Sequence, residues 1–119
     1  KSGKGYFNHQ CSIWARESKD NFMWLVFHTL RMFRERDYRW PDSNPHHTKK
    51  FIEWCGANIH NTNIIKRKRT PFAVAIGENC ECRKNPNFNN LSTIEQYREY
   101  IKKDKPFATW TNRKKPKWY

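Results

Sequence analysis

The hydrophobic positions of the chain fall into three stretches separated by long polar segments. The first stretch runs from Ser18 to Pro41, and its apolar residues recur near the spacing of an α-helix. Ser18 or Asp20 can cap the start of this helix, and Pro41 stops it. The apolar residues are Phe22, Met23, Trp24, Leu25, Val26, Phe27, Leu30 and Phe33. Because they cover more than half of the circumference, the pattern predicts a long and largely buried helix.

A second helix is predicted from about residue 45 to about residue 59. The residues that share its apolar face are Phe51, Ile52, Cys55 and Ile59. Gly56 weakens this helix or ends it early. Residues 60–90 show no helical period and are expected to be mostly irregular, although residues 71–76 could form a short strand or a helical turn.

The third helix has the clearest start signal in the chain. Ser92 and Glu95 have the spacing of a capping box, in which each side chain bonds the exposed backbone amide of the other residue. Pro106 ends this helix, and residues 107–119 then alternate aromatic and cationic side chains. Residues 1–10 are expected to be a loop or a frayed end. We therefore predict a mainly α fold for residues 1–119, a small single-domain bundle of three to four helices with long loops and a basic, aromatic tail.

The composition supports a folded chain and a basic surface. Hydrophobic residues are only 36% of the 119 residues, but 16% are aromatic, which a disordered chain would lack. The formal net charge is +13, and such self-repulsion is relieved by an anionic partner, most commonly nucleic acid. A solvated basic surface without a partner is the alternative. A membrane partner is not expected, because the helices need their apolar faces for the core.

Two segments, one helix and Arg16 supply the candidate nucleic-acid contacts. Lys66–Arg69 is an uninterrupted basic run that could neutralise phosphates, or a solvated loop. The tail could stack on bases through Trp110, Trp118 and Tyr119, or dock on the core and hold its cations in place. The candidate phosphate contacts are Arg16, Arg31, Arg34, Arg36, Lys66, Arg67, Lys68, Arg69, Arg113, Lys114, Lys115 and Lys117.

The cysteines and histidines do not form a pattern that carries chemistry. Four cysteines without a signal peptide or a dense cysteine framework indicate free thiols in the cytoplasm. No pair has the spacing of a structural zinc site, so we expect no metal and no cofactor. Acidic residues are expected to cap helices and form ion pairs, and no catalytic residue is assigned.

Three stretches together resemble a family of small bacteriophage-encoded proteins related to pyrimidine-dimer DNA glycosylases. They are Asn8–Trp24, reading NHQCSIWARESKDNFMW; Thr70–Ile76, reading TPFAVAI, with Cys82 shortly after; and Tyr97–Tyr119, reading YREYIKKDKPFATWTNRKKPKWY. The resemblance implies a compact, mostly helical DNA-binding protein that acts in DNA repair in the infected host cell. It also implies base excision and strand nicking by an N-terminal α-amine and a nearby glutamate.

The chain departs from that family in two places. The region that bears the amine and the glutamate in the family is expected upstream of Lys1, and Gln10 stands where the family has proline. No catalytic residue is therefore carried over, and whether this chain is an enzyme stays open. His9, Trp14 and Asn21, with Arg16, match the first motif and could form a functional surface, or serve packing and capping.

Three functional hypotheses remain open at this point. The first is a DNA-binding protein of the glycosylase-like kind, with or without flipping of a base out of the duplex. The second is a non-catalytic module that binds single-stranded DNA or RNA. The third is a basic phage protein that engages an acidic host protein.

Overall fold

A computed structural model describes residues 5–119, and within that range the chain is helical and contains no β-strand. The α-helices are α1 (Gln10–Glu17), α2 (Lys19–Arg39), α3 (Lys49–Ala57) and α4 (Thr93–Asp104). Short 3-10 helices lie at Ile59–Asn61, Glu81–Lys84 and Phe88–Asn90. The prediction of a mainly α fold with three to four helices is confirmed. The amine of Lys1 and the first part of the predicted N-terminal loop lie outside the described residues.

The chain forms two compact units. The first comprises the described residues up to Pro71 and contains α1, α2 and α3; the second is Phe72–Tyr119 and contains α4. That residues 1–119 make up a single domain stays a prediction.

Helix α1 is the element that the sequence pattern missed. The imidazole Nδ1 of His9 accepts a hydrogen bond from the backbone amide of Cys11 at 3.2 Å and so caps the helix, whose buried residues are Trp14 and Ala15. Helix α1 ends at Ser18, whose hydroxyl in turn accepts from the backbone amide of Asn21 at 3.0 Å and caps α2. A short helix with two buried residues has too weak a period to predict. Of the two predicted caps, Ser18 is the one present, and Asp20 lies in the first turn of α2.

Helix α2 is far less buried than its apolar content predicts. Among its residues only Asn21, Val26 and Phe33 are buried, whereas Phe27 and Met32 are each 58% exposed. The reason is that α2 spans 21 residues and packs against α1 and α3, which have eight and nine. Two short helices cover only part of such a long one, so the prediction of a largely buried helix is wrong.

Helix α3 begins at Lys49 instead of near residue 45. The preceding residues form a turn, in which the His46 ring nitrogen Nδ1 lies 2.8 Å from the Thr48 hydroxyl and accepts from the Thr48 amide at 3.3 Å. A Cβ added to Gly56 would lie 3.0 Å from a methyl group of Val26 on α2. Glycine therefore lets the two helices approach closely. The predicted apolar face is wrong for Phe51, which is 61% exposed.

The second unit is built on α4 and irregular chain. The capping box at Ser92 and Glu95 is present in both directions, which confirms the predicted start of α4. The core residues of this unit are Ile76, Cys82 and Phe88, with Val74, Leu91, Tyr97 and Tyr100 packed against them.

The apolar stretch before Ile76 forms neither of the structures predicted for it. The Tyr97 hydroxyl accepts a hydrogen bond from the Ala75 amide at 2.9 Å and donates one to the Ala73 carbonyl at 3.1 Å. One side chain of α4 thus provides the partners that a neighbouring strand would provide. No helix within residues 5–119 is both long enough and apolar enough to cross a membrane.

Candidate nucleic-acid interface

The basic run Lys66–Arg69 lies in the first unit, in a segment without helix or strand, and all four side chains are exposed. We call these four residues the basic strap. Lys66, Arg67 and Lys68 form no ion pair with any described residue. Their charge is therefore not neutralised within the described part of the chain.

The strap is held at both of its ends. At one end, the carbonyl of Ile65 accepts a hydrogen bond from the backbone amide of Lys19 at 2.9 Å. At the other end, the backbone amide of Thr70 donates to the side-chain oxygen of Asn21 at 2.9 Å. Both anchors belong to the first turn of α2. The four cations are thus held beside a helix instead of on a loose loop, which lowers the entropy lost when they bind a partner.

Asn21 is the centre of the second anchor. It is fully buried, and its amide nitrogen donates to the Trp14 carbonyl at 2.7 Å and to the Thr70 hydroxyl at 2.8 Å. The Thr70 hydroxyl donates in turn to the Glu17 carboxylate at 2.9 Å, and the Trp14 ring nitrogen donates to the Thr70 carbonyl at 3.4 Å. Every donor and acceptor of the Asn21 side chain is satisfied, so the arrangement is specific.

The structure buries two residues of the predicted functional surface, Trp14 and Asn21, and leaves His9 exposed. Trp14 is 7% exposed and Asn21 is 0% exposed, and His9 caps α1. The positions of Trp14, Asn21 and His9 match the alternative in which these residues pack in the interior or cap a helix. The first two stretches that suggested the family resemblance meet through the contact of Asn21 with Thr70. The second and third meet through the Tyr97 hydroxyl, which bonds the backbone of Ala73 and Ala75. The sequence pattern does not single out Thr70 as a functional residue. The one signal for its contact is Asn21, a polar residue in an apolar helical stretch.

The predicted arginine contacts differ in what they already touch. Arg31 and Arg34 are exposed and form no ion pair with a described residue. Arg36 pairs with the Asp37 carboxylate at 3.5 Å. Arg16 donates to the Phe7 carbonyl and lies 4.1 Å from the centre of the Phe7 ring. Arg31 and Arg34 therefore remain the more available of these four cations.

The C-terminal tail is folded against the second unit. The Tyr119 hydroxyl donates to the Lys105 carbonyl at 3.1 Å, and the Tyr119 and Trp110 rings are 4.5 Å apart. Arg98 of α4 lies 5.4 Å from the Trp118 ring centre. The three aromatic side chains of the tail are only partly exposed: Trp110, Trp118 and Tyr119. Their positions match the alternative in which the tail docks on the protein. The exposed cations of the tail are Arg113, Lys114, Lys115 and Lys117.

Asp104 and Cys82, two groups with shifted pKa values, help to hold the second unit together. The Asp104 carboxylate accepts from the backbone amides of Glu81 at 2.6 Å and Cys82 at 3.0 Å. Burial acts to raise the pKa of Asp104, but these hydrogen bonds outweigh it and the pKa is lowered. Burial first, and then the hydrogen bond to Asp104, raise the pKa of the Cys82 thiol to about 11. A thiol with that pKa stays protonated at neutral pH and is a poor nucleophile.

All four cysteines are free, and the described residues contain no cluster of three or more His, Cys, Asp or Glu side chains that could hold a metal ion. The site is therefore defined by charge and exposure, and no residue in it is assigned to bond-making chemistry. Comparison with known proteins gives no match: no family model, no characterised protein and no solved structure matches this chain.

Proposed function

We propose that this protein binds nucleic acid, and DNA in particular, and that the basic strap is a principal contact. The observation that carries the proposal is the anchoring of four consecutive exposed cations at both ends, by Lys19 and Asn21. The net charge of +13 supports it, because a polyanion relieves the self-repulsion of such a chain.

The chemistry of the strap suits a phosphate backbone. Lysine and arginine neutralise phosphates and release condensed counterions, which makes the affinity fall as salt rises. Each phosphate neutralised contributes about 0.9 to the slope of log K against log salt for duplex DNA, and about 0.7 for a single strand. A strap that contacts four phosphates therefore has a slope contribution of about 3.6 with duplex DNA and about 2.8 with a single strand.

The test is a fluorescence-anisotropy titration of labelled duplex and single-stranded oligonucleotides at several salt concentrations. The variant K66Q/R67Q/K68Q/R69Q removes the strap charges. We expect it to bind both oligonucleotides more weakly, and to have a salt slope smaller by about 3.6 with the duplex and by about 2.8 with the single strand.

A matched variant distinguishes a local contact from bulk charge. K50Q/K84Q/K102Q/K103Q removes an equal number of positive charges at exposed positions outside the proposed contacts. Lys84 and Lys102 pair with Glu81 and Glu99, so thermal unfolding is measured alongside to show that this variant remains folded. This variant should keep most of the affinity for both oligonucleotides and most of the salt slope. Equal losses in the two variants would show that only net charge matters, and no binding by the unaltered chain at low salt would overturn the proposal.

The finer hypothesis from the resemblance is that the protein acts on damaged DNA, in the manner of the glycosylases. An amine nucleophile forms a Schiff base with the sugar, and borohydride reduces that bond to a stable covalent link. A trapped complex with damaged duplex supports this hypothesis. Tight, salt-sensitive binding with no trapped complex and no preference for damage supports a binding protein without this chemistry.

The remaining alternative is an acidic protein partner. An acidic partner would occupy the same cations, so nucleic acid and an acidic polypeptide such as polyglutamate compete. If polyglutamate binds more tightly than an oligonucleotide of equal charge at the same salt concentration, the nucleic-acid proposal is wrong.

A further inference from the structure

The solvent-facing side of α2 carries a cluster that is separate from the basic strap. Phe27, Arg31, Arg34 and Tyr38 follow one another at intervals of four, three and four residues. This spacing places their side chains on one face of a helix. Phe27 is 58% exposed, Tyr38 is 57% exposed, and both arginines are exposed. We call these four residues the outer stripe.

The outer stripe lies away from the packed side of α2. The buried side chains of this helix after its first turn are Val26 and Phe33, which are one heptad apart and occupy a different face from Phe27 and Tyr38. At a rise of 1.5 Å per residue, Phe27 and Tyr38 are about 16 Å apart along the axis. The stripe is therefore a long, exposed row with an aromatic ring at each end and two guanidinium groups between them.

The carboxylates next to the stripe are already engaged. Asp37 pairs with Arg36 at 3.5 Å, and Glu35 pairs with Arg39 at 2.8 Å. No ion pair joins Arg31 or Arg34 to any residue within 5–119. The stripe thus presents two positive charges that an anionic ligand can neutralise.

Exposed aromatic side chains are common singly, but here two of them flank a pair of arginines along one face. Aromatic rings and cations in one row are the two components with which proteins hold single strands, the rings stacking on bases and the cations contacting phosphates. The base faces in a duplex are covered by neighbouring base pairs, so stacking on a side chain requires unpaired or unstacked bases.

We propose that the outer stripe binds a single-stranded segment of nucleic acid, with Phe27 and Tyr38 stacking on bases and Arg31 and Arg34 contacting the phosphates between them. This inference rests on the proposed function and adds to it the strand class that the protein prefers. It assigns base contacts to α2, whereas the sequence pattern offers the tail as one of two alternatives, stacking on bases or docking on the core.

The test compares variants of the full chain with a labelled single strand of about 20 nucleotides, longer than a typical binding site, and with the matching duplex. F27A/Y38A removes both rings. We expect it to lose at least about tenfold in affinity for the single strand, since each stacked base contributes severalfold or more. The affinity for duplex and the salt slope should change little.

Two further variants keep this test specific. L25A/M32A removes apolar side chains from another face of the same helix, where Leu25 is 39% and Met32 is 58% exposed, and it should bind the single strand normally. F27Y/Y38F keeps both rings and should also bind normally. Thermal unfolding of each variant shows whether it remains folded.

The outcomes separate this inference from the proposed function. If the unaltered chain binds neither oligonucleotide at low salt, the proposed function fails. If it binds nucleic acid but F27A/Y38A binds the single strand as the unaltered chain does, or the duplex is preferred, the outer stripe is not a single-strand site while nucleic-acid binding stands.

Discussion

Single residues decide the strongest local contacts in this protein, and Asn21 is the clearest case. Its side chain satisfies two donors and one acceptor in the interior of the first unit. A buried polar group that loses its partner costs about 1–3 kcal/mol, because neither water nor another side chain replaces the bond.

We therefore expect N21A to lower the free energy of unfolding by about 3 kcal/mol, since the Trp14 carbonyl and the Thr70 amide lose their partner. Urea unfolding measures the change. The matched control is N63A, at an exposed position of the same unit, which should change stability by less than about 0.5 kcal/mol. Equal effects of the two substitutions would contradict the role given to Asn21.

Asp104 makes the stability of the second unit dependent on pH. Its pKa is lowered in the folded state, so its carboxylate stabilises the fold above the unfolded pKa of about 3.9. That contribution is lost as the pH falls through the lower, folded value. D104N should therefore destabilise the protein at pH 7, and the difference from the unaltered chain should shrink towards acid pH.

Denaturant unfolding at a series of pH values checks this expectation. E53Q serves as the control, because Glu53 is exposed on α3. The two free energies of unfolding, of D104N and of the unaltered chain, should converge at acid pH. A constant difference would contradict the argument from hydrogen bonding.

At the scale of helices, capping residues predict where a helix begins more reliably than the apolar pattern predicts how far it is buried. Ser18 and Ser92 were found from sequence because a cap depends on a few neighbouring residues. The burial of α2 was overestimated, because burial depends on the lengths of the helices that pack against it. The anchor between Asn21 and Thr70 spans 49 residues, and no local pattern encodes a contact of that range.

The capping box of α4 gives a prediction at this scale. S92A removes the hydroxyl that accepts from the Glu95 amide, and it should cost about 1 kcal/mol of unfolding free energy. T109A, at an exposed position of the same unit outside the helix, should be close to neutral. Thermal or urea unfolding of the two variants gives the comparison, and a cost for T109A as large as that for S92A would be inconsistent with the cap.

For the whole molecule, charge is the dominant property. A net charge of +13 on 119 residues opposes compaction, and dissolved salt screens charges more than about 8 Å apart at physiological ionic strength. The composition alone indicated this property. It could not indicate which cations are held in place, because that depends on the anchors of the strap and on the ion pairs along α2.

Added salt should therefore stabilise the chain. Screening about 1 kcal/mol of repulsion raises the unfolding midpoint by about 4–8 °C for a unit of this size. Thermal unfolding from low to physiological ionic strength measures the rise. K50Q/K84Q/K102Q/K103Q, with four fewer positive charges, should show a smaller rise. A midpoint that is insensitive to salt would mean that the positive charges lie too far apart to repel one another.

In the strap, the residues that hold the segment in place differ from the residues that would contact a ligand. The hydrogen bonds that hold the segment use Ile65 and Thr70, which lie outside the four cations. Ligand preference and folding are therefore encoded at different positions. Substitution of the four inner residues leaves both anchoring hydrogen bonds in place, so this segment is a suitable position at which to graft a different recognition peptide.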